Sequence, residues 1–140
     1  MGKSKLKYYR VLNMVEAIGL IEGNDLLDVR TNLALSRMRS HGADVSQSFY
    51  EIINQKELQL VEETKGKSAD DIQKLNSDFV KERERVAITE DTEEWDYPDL
   101  KVTQFEAQHD MVRAGGRTYK KGESLVPTKF FILMGDLITE

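Results

Sequence analysis

The carboxylates between residues 90 and 99 are the densest group of chemically active side chains in the sequence. No cation interrupts the run, which comprises Glu90, Asp91, Glu93, Glu94, Asp96 and Asp99. Hard cations such as Mg²⁺ and Ca²⁺ prefer oxygen ligands of this kind. A calcium loop also needs acidic residues at fixed spacing and a glycine at its sharp turn, and this segment lacks both. We therefore predict no metal site here and no cofactor.

Two aromatic residues, Trp95 and Tyr97, lie within this acidic run. Exposed aromatic side chains with a charged rim are typical of the residues that dominate protein–protein interfaces. This interpretation predicts a partner-binding segment formed by Glu94, Trp95, Asp96 and Tyr97. In the alternative interpretation, Trp95 packs over the helical hairpin predicted over 44–86, and only its acidic neighbours face water.

The segment 113–121 has the opposite charge. Glycine amides and arginine side chains together can bind phosphate, and an aromatic ring between cations can stack on a base. The sequence therefore offers a nucleotide or nucleic-acid site at Arg113, Arg117, Tyr119, Lys120 and Lys121. No Walker or dinucleotide glycine pattern is present, and a net charge of −5 opposes non-specific binding to DNA. The alternative is a solvated hairpin whose lysines protect an edge strand.

Histidine and nucleophile chemistry has little support. His109 precedes Asp110 and could serve as an oriented general base, but the sequence indicates neither a nucleophile nor a substrate pocket. His41 stands where a helix is predicted to end, a position at which the helix dipole favours a cation. Because the chain has no cysteine and no serine elbow motif, we predict that it is not an enzyme.

The composition is that of a small protein rich in solvated helix. Of the 140 residues, 39% are hydrophobic and 32% are charged, which predicts a single domain with long helices. The absence of cysteine favours a reducing, cytoplasmic compartment. No signal peptide is recognisable, and the longest apolar run, 130–134, is far below the roughly 20 residues of a membrane span.

A helical hairpin is predicted around Lys65-Gly66-Lys67. Apolar residues recur at helical spacing over 44–64 and 68–86, so each helix is expected to bury its stripe against the other. Ser68 with Asp71 three residues later resembles a capping box and marks the start of the second helix.

Two helices are predicted upstream of the hairpin. The first covers 6–21 and ends at Gly23-Asn24, although a strand over 7–12 is an alternative. The second covers 26–40, is capped by Asn24 or Asp25, and ends at His41-Gly42. Its buried side is expected to include Leu26, Val29 and Leu33.

The pattern changes after residue 85. We predict an extended segment over 86–89, an exposed loop over 90–100 that contains Pro98, and a short helix or strand over 100–109. Val102 and Phe105 would supply the buried contacts of that last element.

A β-hairpin is predicted over 110–121, with its turn at Ala114-Gly115-Gly116. A final helix begins near Pro127 and extends through Leu137. Its large apolar side chains should either complete the core or form a dimer interface through Phe130, Phe131 and Met134.

The segment 33–88 resembles small accessory proteins of tailed bacteriophages. These proteins have a helix, a charged antiparallel helical pair and a strand-like apolar segment. The matching residues are Asn32-Leu33-Ala34-Leu35, Ile52-Ile53 with Glu57-Leu58, Asp78-Phe79-Val80 and Glu84-Arg85-Val86-Ala87-Ile88. The resemblance implies a source and a size class, not an activity.

The predicted fold is mainly α with a small β element. It comprises a helical scaffold over 1–89, an acidic loop over 90–100 and a hairpin-plus-helix unit over 101–140. The predicted function is that of a non-enzymatic accessory protein that binds a host or phage protein through the acidic segment, the basic hairpin or both. Inhibition or redirection of a host factor belongs to this class. Binding of nucleic acid or a nucleotide, and assembly into an oligomer, are the alternatives.

Overall fold

The structure, a computed structural model, describes residues 2–4, 6–89, 92, 95–112 and 116–140. Within these ranges the chain is mainly α with a small β element, as predicted. The helices are α1 (Tyr8–Ile21), α2 (Val29–Thr64), α3 (Ala69–Thr89) and α4 (Thr128–Met134). The strands are β1 (Gly2–Ser4), β2 (Trp95–Tyr97), β3 (Leu100–Lys101), β4 (Met111–Val112), β5 (Thr118–Tyr119) and β6 (Ile138–Thr139). Two 3₁₀ turns cover Val102–Phe105 and Gly135–Leu137.

Helix α1 confirms the prediction for 6–21, and the alternative of a strand over 7–12 is wrong. The helix ends at Ile21, and Gly23 follows with a φ of 75°, a conformation that glycine adopts without a steric penalty. One face of α1 is completely buried because it packs on both α2 and α4.

Helix α2 is a single element of 36 residues, about 54 Å long. The predicted break at His41-Gly42 is therefore wrong, as is the predicted start of a separate helix at residue 44. Gly42 is buried at the contact with α1, where a side chain would collide with Val15 and Met14. Glycine here permits close packing of two helices and does not end one of them.

The start of α2 also differs from the prediction. Its cap is Asp28, whose Oδ1 accepts a hydrogen bond from the Thr31 amide at 2.8 Å. Val29 and Leu33 are exposed, so they do not line the buried side as predicted. The buried row consists instead of Thr31, Leu35, Met38 and Gly42.

The helical hairpin is confirmed, with α2 ending at Thr64 and α3 beginning at Ala69. The Asp71 amide donates to Ser68 Oγ at 3.2 Å, which is the predicted cap contact. Helix α3 runs on to Thr89, so the extended segment predicted over 86–89 is wrong. Val86 is the buried residue of α3, and it packs in one cluster with Tyr8 of α1 and Phe49 of α2.

The prediction of an exposed loop over 90–100 is wrong for part of this segment. Strand β2 pairs antiparallel with β1, with Ser4 opposite Trp95 and Gly2 opposite Tyr97. Leu100, at the end of the predicted loop, is buried, and β3 pairs in parallel with β6. These pairings attach the segment to both ends of the described chain.

The C-terminal unit largely follows the prediction. The 3₁₀ turn after β3 buries Phe105 and half-buries Val102. Strands β4 and β5 form the predicted antiparallel hairpin, and α4 begins directly after Pro127. Helix α4 ends at Met134, and Leu137 belongs to the following 3₁₀ turn, so the predicted end is wrong.

Two hydrophobic clusters hold these elements together. The larger joins α1 and the first half of α2 to the C-terminal unit, where the rings of Phe105 and Phe130 lie 5.0 Å apart. The smaller cluster comprises Tyr8, Phe49, Ile53 and Val86 at the base of the helical hairpin. Beyond that base, from 54 to 85, no described residue is buried. We call this projecting part of the hairpin the arm.

Candidate functional site

The predicted partner-binding segment is only partly described. Glu94 lies outside the described residues, and for Trp95 and Asp96 the structure describes the backbone alone, within β2. Tyr97 is half-buried and packs against the larger core cluster, so it does not project freely as an interface anchor. Contact with a partner through Trp95 stays a prediction.

The basic hairpin presents a cationic surface without a stacking platform. Arg113 lies outside the described residues, and Arg117, Lys120 and Lys121 are exposed. Tyr119 is 3% exposed, and the Arg117 guanidinium lies 4.7 Å from the centre of its ring. The prediction that Tyr119 stacks on a base is wrong, because stacking needs an open ring face.

Acidic groups lie beside the cations of this hairpin. The Lys121 amide donates to Asp110 Oδ1 at 2.8 Å, and the Lys120 amide donates to Glu123 Oε2 at 3.0 Å. These two amides are thus already bonded to carboxylates. Anion binding through the exposed side chains of Arg117, Lys120 and Lys121 stays a prediction, without a contribution from stacking on Tyr119.

The two histidines lie in different environments, and the prediction for His41 is wrong. His41 lies inside α2 and not at a helix end, so the helix dipole does not explain it. His109 is exposed at the rim of an open groove of about 470 Å³, near Asp28, Gln104 and Glu106. Within the described ranges, no three His, Cys, Asp or Glu residues converge as metal ligands would.

A larger groove of about 670 Å³ separates α1 from the first turns of α2. The Arg39 guanidinium and the Glu22 carboxylate form an ion pair there, and Ile18 and Leu35 supply part of the apolar lining. Its polar groups bond largely to the protein, for example from Asn32 Nδ2 to the Asn24 carbonyl oxygen at 3.1 Å. These contacts give the groove a structural role in joining the two helices.

The aromatic residues of α4 are not available as a dimer interface. Phe130 and Met134 are 0% and 1% exposed, respectively, and Phe131 is half-buried against Phe105. These side chains complete the chain's own core, so the predicted interface through Phe130, Phe131 and Met134 is wrong. Oligomerisation by another surface stays a prediction.

The arm is the part of the structure with the most unexplained surface. Its helices face each other through half-buried residues, which we call the seam: Lys56, Leu60, Thr64, Ile72, Leu75, Phe79 and Glu82. Large apolar side chains also point away from the seam. Leu58, Val61 and Val80 are 68%, 53% and 41% exposed, and at the base Tyr50 and Ile88 are 51% and 59% exposed.

A charged contact fixes how the two helices of the arm are aligned. Lys56 Nζ lies 3.3 Å from Glu82 Oε1, and Arg85 Nη2 lies 2.7 Å from the same oxygen. The hydrogen bond from Arg85, followed by that from Lys56, lowers the pKa of Glu82 from 4.5 to about 2. Glu82 is therefore ionised wherever the protein is folded near neutral pH.

Sequence reasoning missed the arm as a candidate site. The apolar period predicted buried stripes on the two helices, and it gave no role to Leu58, Val61 and Val80, which lie outside those stripes. The available signal was the position of Val61 and Val80, each one residue after a seam residue. A helix pair that buries a single stripe leaves such positions outside it.

Comparison of the chain with protein-family models, with curated proteins and with solved structures found no match. Roles for individual residues therefore follow from geometry alone. None of the helices in the described ranges combines the length and the apolar composition of a membrane span.

Proposed function

We propose that this chain is a protein-binding component, not an enzyme, and that the arm is its contact surface. The observation that supports this proposal is the exposure of Leu58, Val61 and Val80 on the arm, where no described residue from 54 to 85 is buried. Single exposed apolar residues are ordinary, but neighbouring ones on a projecting element are typical of interaction sites.

The energetics of the arm support the same proposal. Ordering the backbone costs roughly 1–2 kcal/mol per residue, and half-buried seam residues return only part of that cost. A partner that covered Leu58, Val61 and Val80 would add the missing apolar burial. Helices commonly bind proteins by laying such a row of side chains against another helix or into a groove.

Site-specific photocrosslinking tests this proposal. A benzophenone amino acid would replace Val61 in one variant and Lys74, also exposed on the arm, in a matched control. After irradiation in the expressing cell, we expect protein adducts, either to this chain or to another, from position 61 and few from position 74. Equal yields at both positions, or no adduct at position 61, would count against the arm as the contact surface.

A further inference from the structure

The two sides of the arm can be assigned from the seam. Each residue of an α-helix is rotated by about 100° from the one before it. Residues directly before a seam residue therefore lie on one side of the helix pair, and residues directly after it lie on the other. Because the two helices are antiparallel, the residues that precede the seam on α2 and on α3 lie on the same side of the pair. The residues that follow the seam on both helices lie on the other side.

One side of the arm is strongly charged. A groove of about 520 Å³ on this side is lined by residues of both helices: Glu63, Lys67, Asp71, Lys74, Leu75 and Asp78. Glu63, Asp71, Lys74 and Asp78 each precede a seam residue, which confirms the assignment by helical rotation. We call this the charged side.

The opposite side has few charges, and we call it the low-charge side. It includes the residues that follow the seam or the buried Phe49 and Val86 at the base: Tyr50, Glu57 and Val61 of α2, Lys65 directly after α2, and Gln73, Asn76, Val80, Arg83 and Ala87 of α3. Leu58 borders it. The exposed valines of the arm thus share one side, between uncharged polar residues.

Within α2 and α3, two ionisable residues of opposite sign interrupt the low-charge side. Glu57 and Arg83 are both exposed, and neither forms an ion pair with another described residue. The contact between Lys56 and Glu82 places them at nearly the same height along the arm, one on each helix. Within the two helices, the low-charge side therefore carries one anion and one cation side by side.

We infer that the low-charge side binds a second copy of this chain, with the two arms parallel and related by a two-fold axis along their length. This inference rests on the proposed function and names its partner. In this arrangement α2 of each copy lies on α3 of the other. Glu57 then faces Arg83 of the second copy, and the contact occurs twice because the interface is two-fold symmetric.

The same arrangement matches the apolar residues. Leu58 lies at the height of Val80, so Leu58 and Val61 of one copy would cover Val80 of the other. The four helices would form a bundle, the usual way in which helical hairpins bury a remaining apolar side. Antiparallel arms would instead stack α2 on α2, and Glu57 would never meet Arg83.

Charge reversal in the full-length protein tests this inference. We expect the wild-type protein to sediment as a dimer at micromolar concentration and low salt. The variants Glu57→Arg and Arg83→Glu should each weaken the dimer by about tenfold or more, because two attractive contacts become repulsive. An equimolar mixture of the two variants should recover the dimer, since every contact in the mixed dimer joins opposite charges.

Reversals on the charged side provide the matched control. Glu63→Arg and Lys74→Glu should leave the dissociation constant of the dimer unchanged. Circular dichroism should give the same helix content for all variants. A monomeric wild-type protein at 100 micromolar, single reversals without effect, or a mixture that stays monomeric would each overturn the inference. A monomer whose position 61 still crosslinks to another protein would retain the proposed function while excluding the second copy.

Discussion

Gly42 of α2 lies directly against Met14 of α1: a Cβ built on Gly42 would stand 2.6 Å from Met14 Cε. It would also stand 2.8 Å from Val15 Cγ2, which belongs to a stiff, β-branched side chain. At contacts this short the neighbouring atoms must shift: the flexible end of Met14 can turn aside within the core, whereas the branched side chain of Val15 resists displacement. The close approach of α1 and α2 therefore depends on the missing side chain at this position.

We predict that Gly42→Ala destabilises the protein although alanine is the better helix former. Overpacking costs about 1–3 kcal/mol, and the gain in helix propensity is about 1 kcal/mol. We therefore expect the free energy of unfolding to fall by about 1 kcal/mol. The matched control is Gly19→Ala in α1, where the nearest atom to a new Cβ is Arg39 Nη2 at 3.6 Å. The free energy of unfolding of that variant, measured by urea denaturation, should rise by up to about 1 kcal/mol. Equal effects of the two substitutions would contradict the close packing at Gly42.

Gly42 also marks the limit of what the sequence could predict. Glycine after a helical run usually ends the helix, and only the packing of α1 distinguishes the two uses. The α2–α3 turn and the Ser68 cap were predictable because their contacts are local, between residues three or four positions apart. The pairing of Ser4 with Trp95 joins distant segments, and no local pattern encodes it.

The candidate site illustrates the same distinction. The cations around Tyr119 are exposed as their charge suggests, yet its ring is buried because β5 packs against the core. Helical spacing predicted a buried stripe, but it did not show that Leu58 and Val61, outside that stripe, would lack a partner. That property depends on how far α2 extends past the core, and this extent was hidden by the expected break at Gly42.

The contact between Thr31 and Gln104 joins α2 to the C-terminal unit, and removing it should be costly. Thr31 is 0% exposed, and its Oγ1 accepts a hydrogen bond from Gln104 Nε2 at 3.0 Å and donates to Asp28 Oδ2 at 3.2 Å. Thr31→Val keeps the shape and removes both bonds, so a loss of about 1–2 kcal/mol is expected in chemical denaturation.

A double-mutant cycle isolates this contact. Gln104→Leu alone removes one partner, and the double variant should lose less than the sum of the two single losses because both substitutions delete the same bond. Strict additivity would show that the two side chains do not interact in solution.

The arm should open more readily than the rest of α2. Residues 57–64 contribute nothing buried, whereas Thr31, Leu35 and Met38 of the same helix are in the core. Local opening is easiest where few apolar contacts are lost. Hydrogen exchange of the Glu57→Arg variant, in which arm–arm contact is disfavoured, should therefore be faster over 57–64 than over 31–46. Uniform protection along α2 would mean that the arm unfolds only together with the core.

Acid should weaken the arm through Glu82. Hydrogen bonds from Arg85 and Lys56 lower the pKa of Glu82 to about 2 in the folded protein, against an ordinary value of 4.5. A carboxylate with a lowered pKa stabilises the fold above its unfolded pKa, and this stabilisation is lost as the pH falls toward the folded pKa. Wild-type protein should therefore be more stable than Glu82→Gln at pH 6, and the difference should shrink between pH 4.5 and pH 2.

Glu84→Gln is the matched control, because Glu84 lies on the same helix and forms no ion pair with a described residue. Urea denaturation of the three proteins across this pH range measures the difference, and a gap between wild type and Glu82→Gln that stays constant would exclude the ion pairs as its cause.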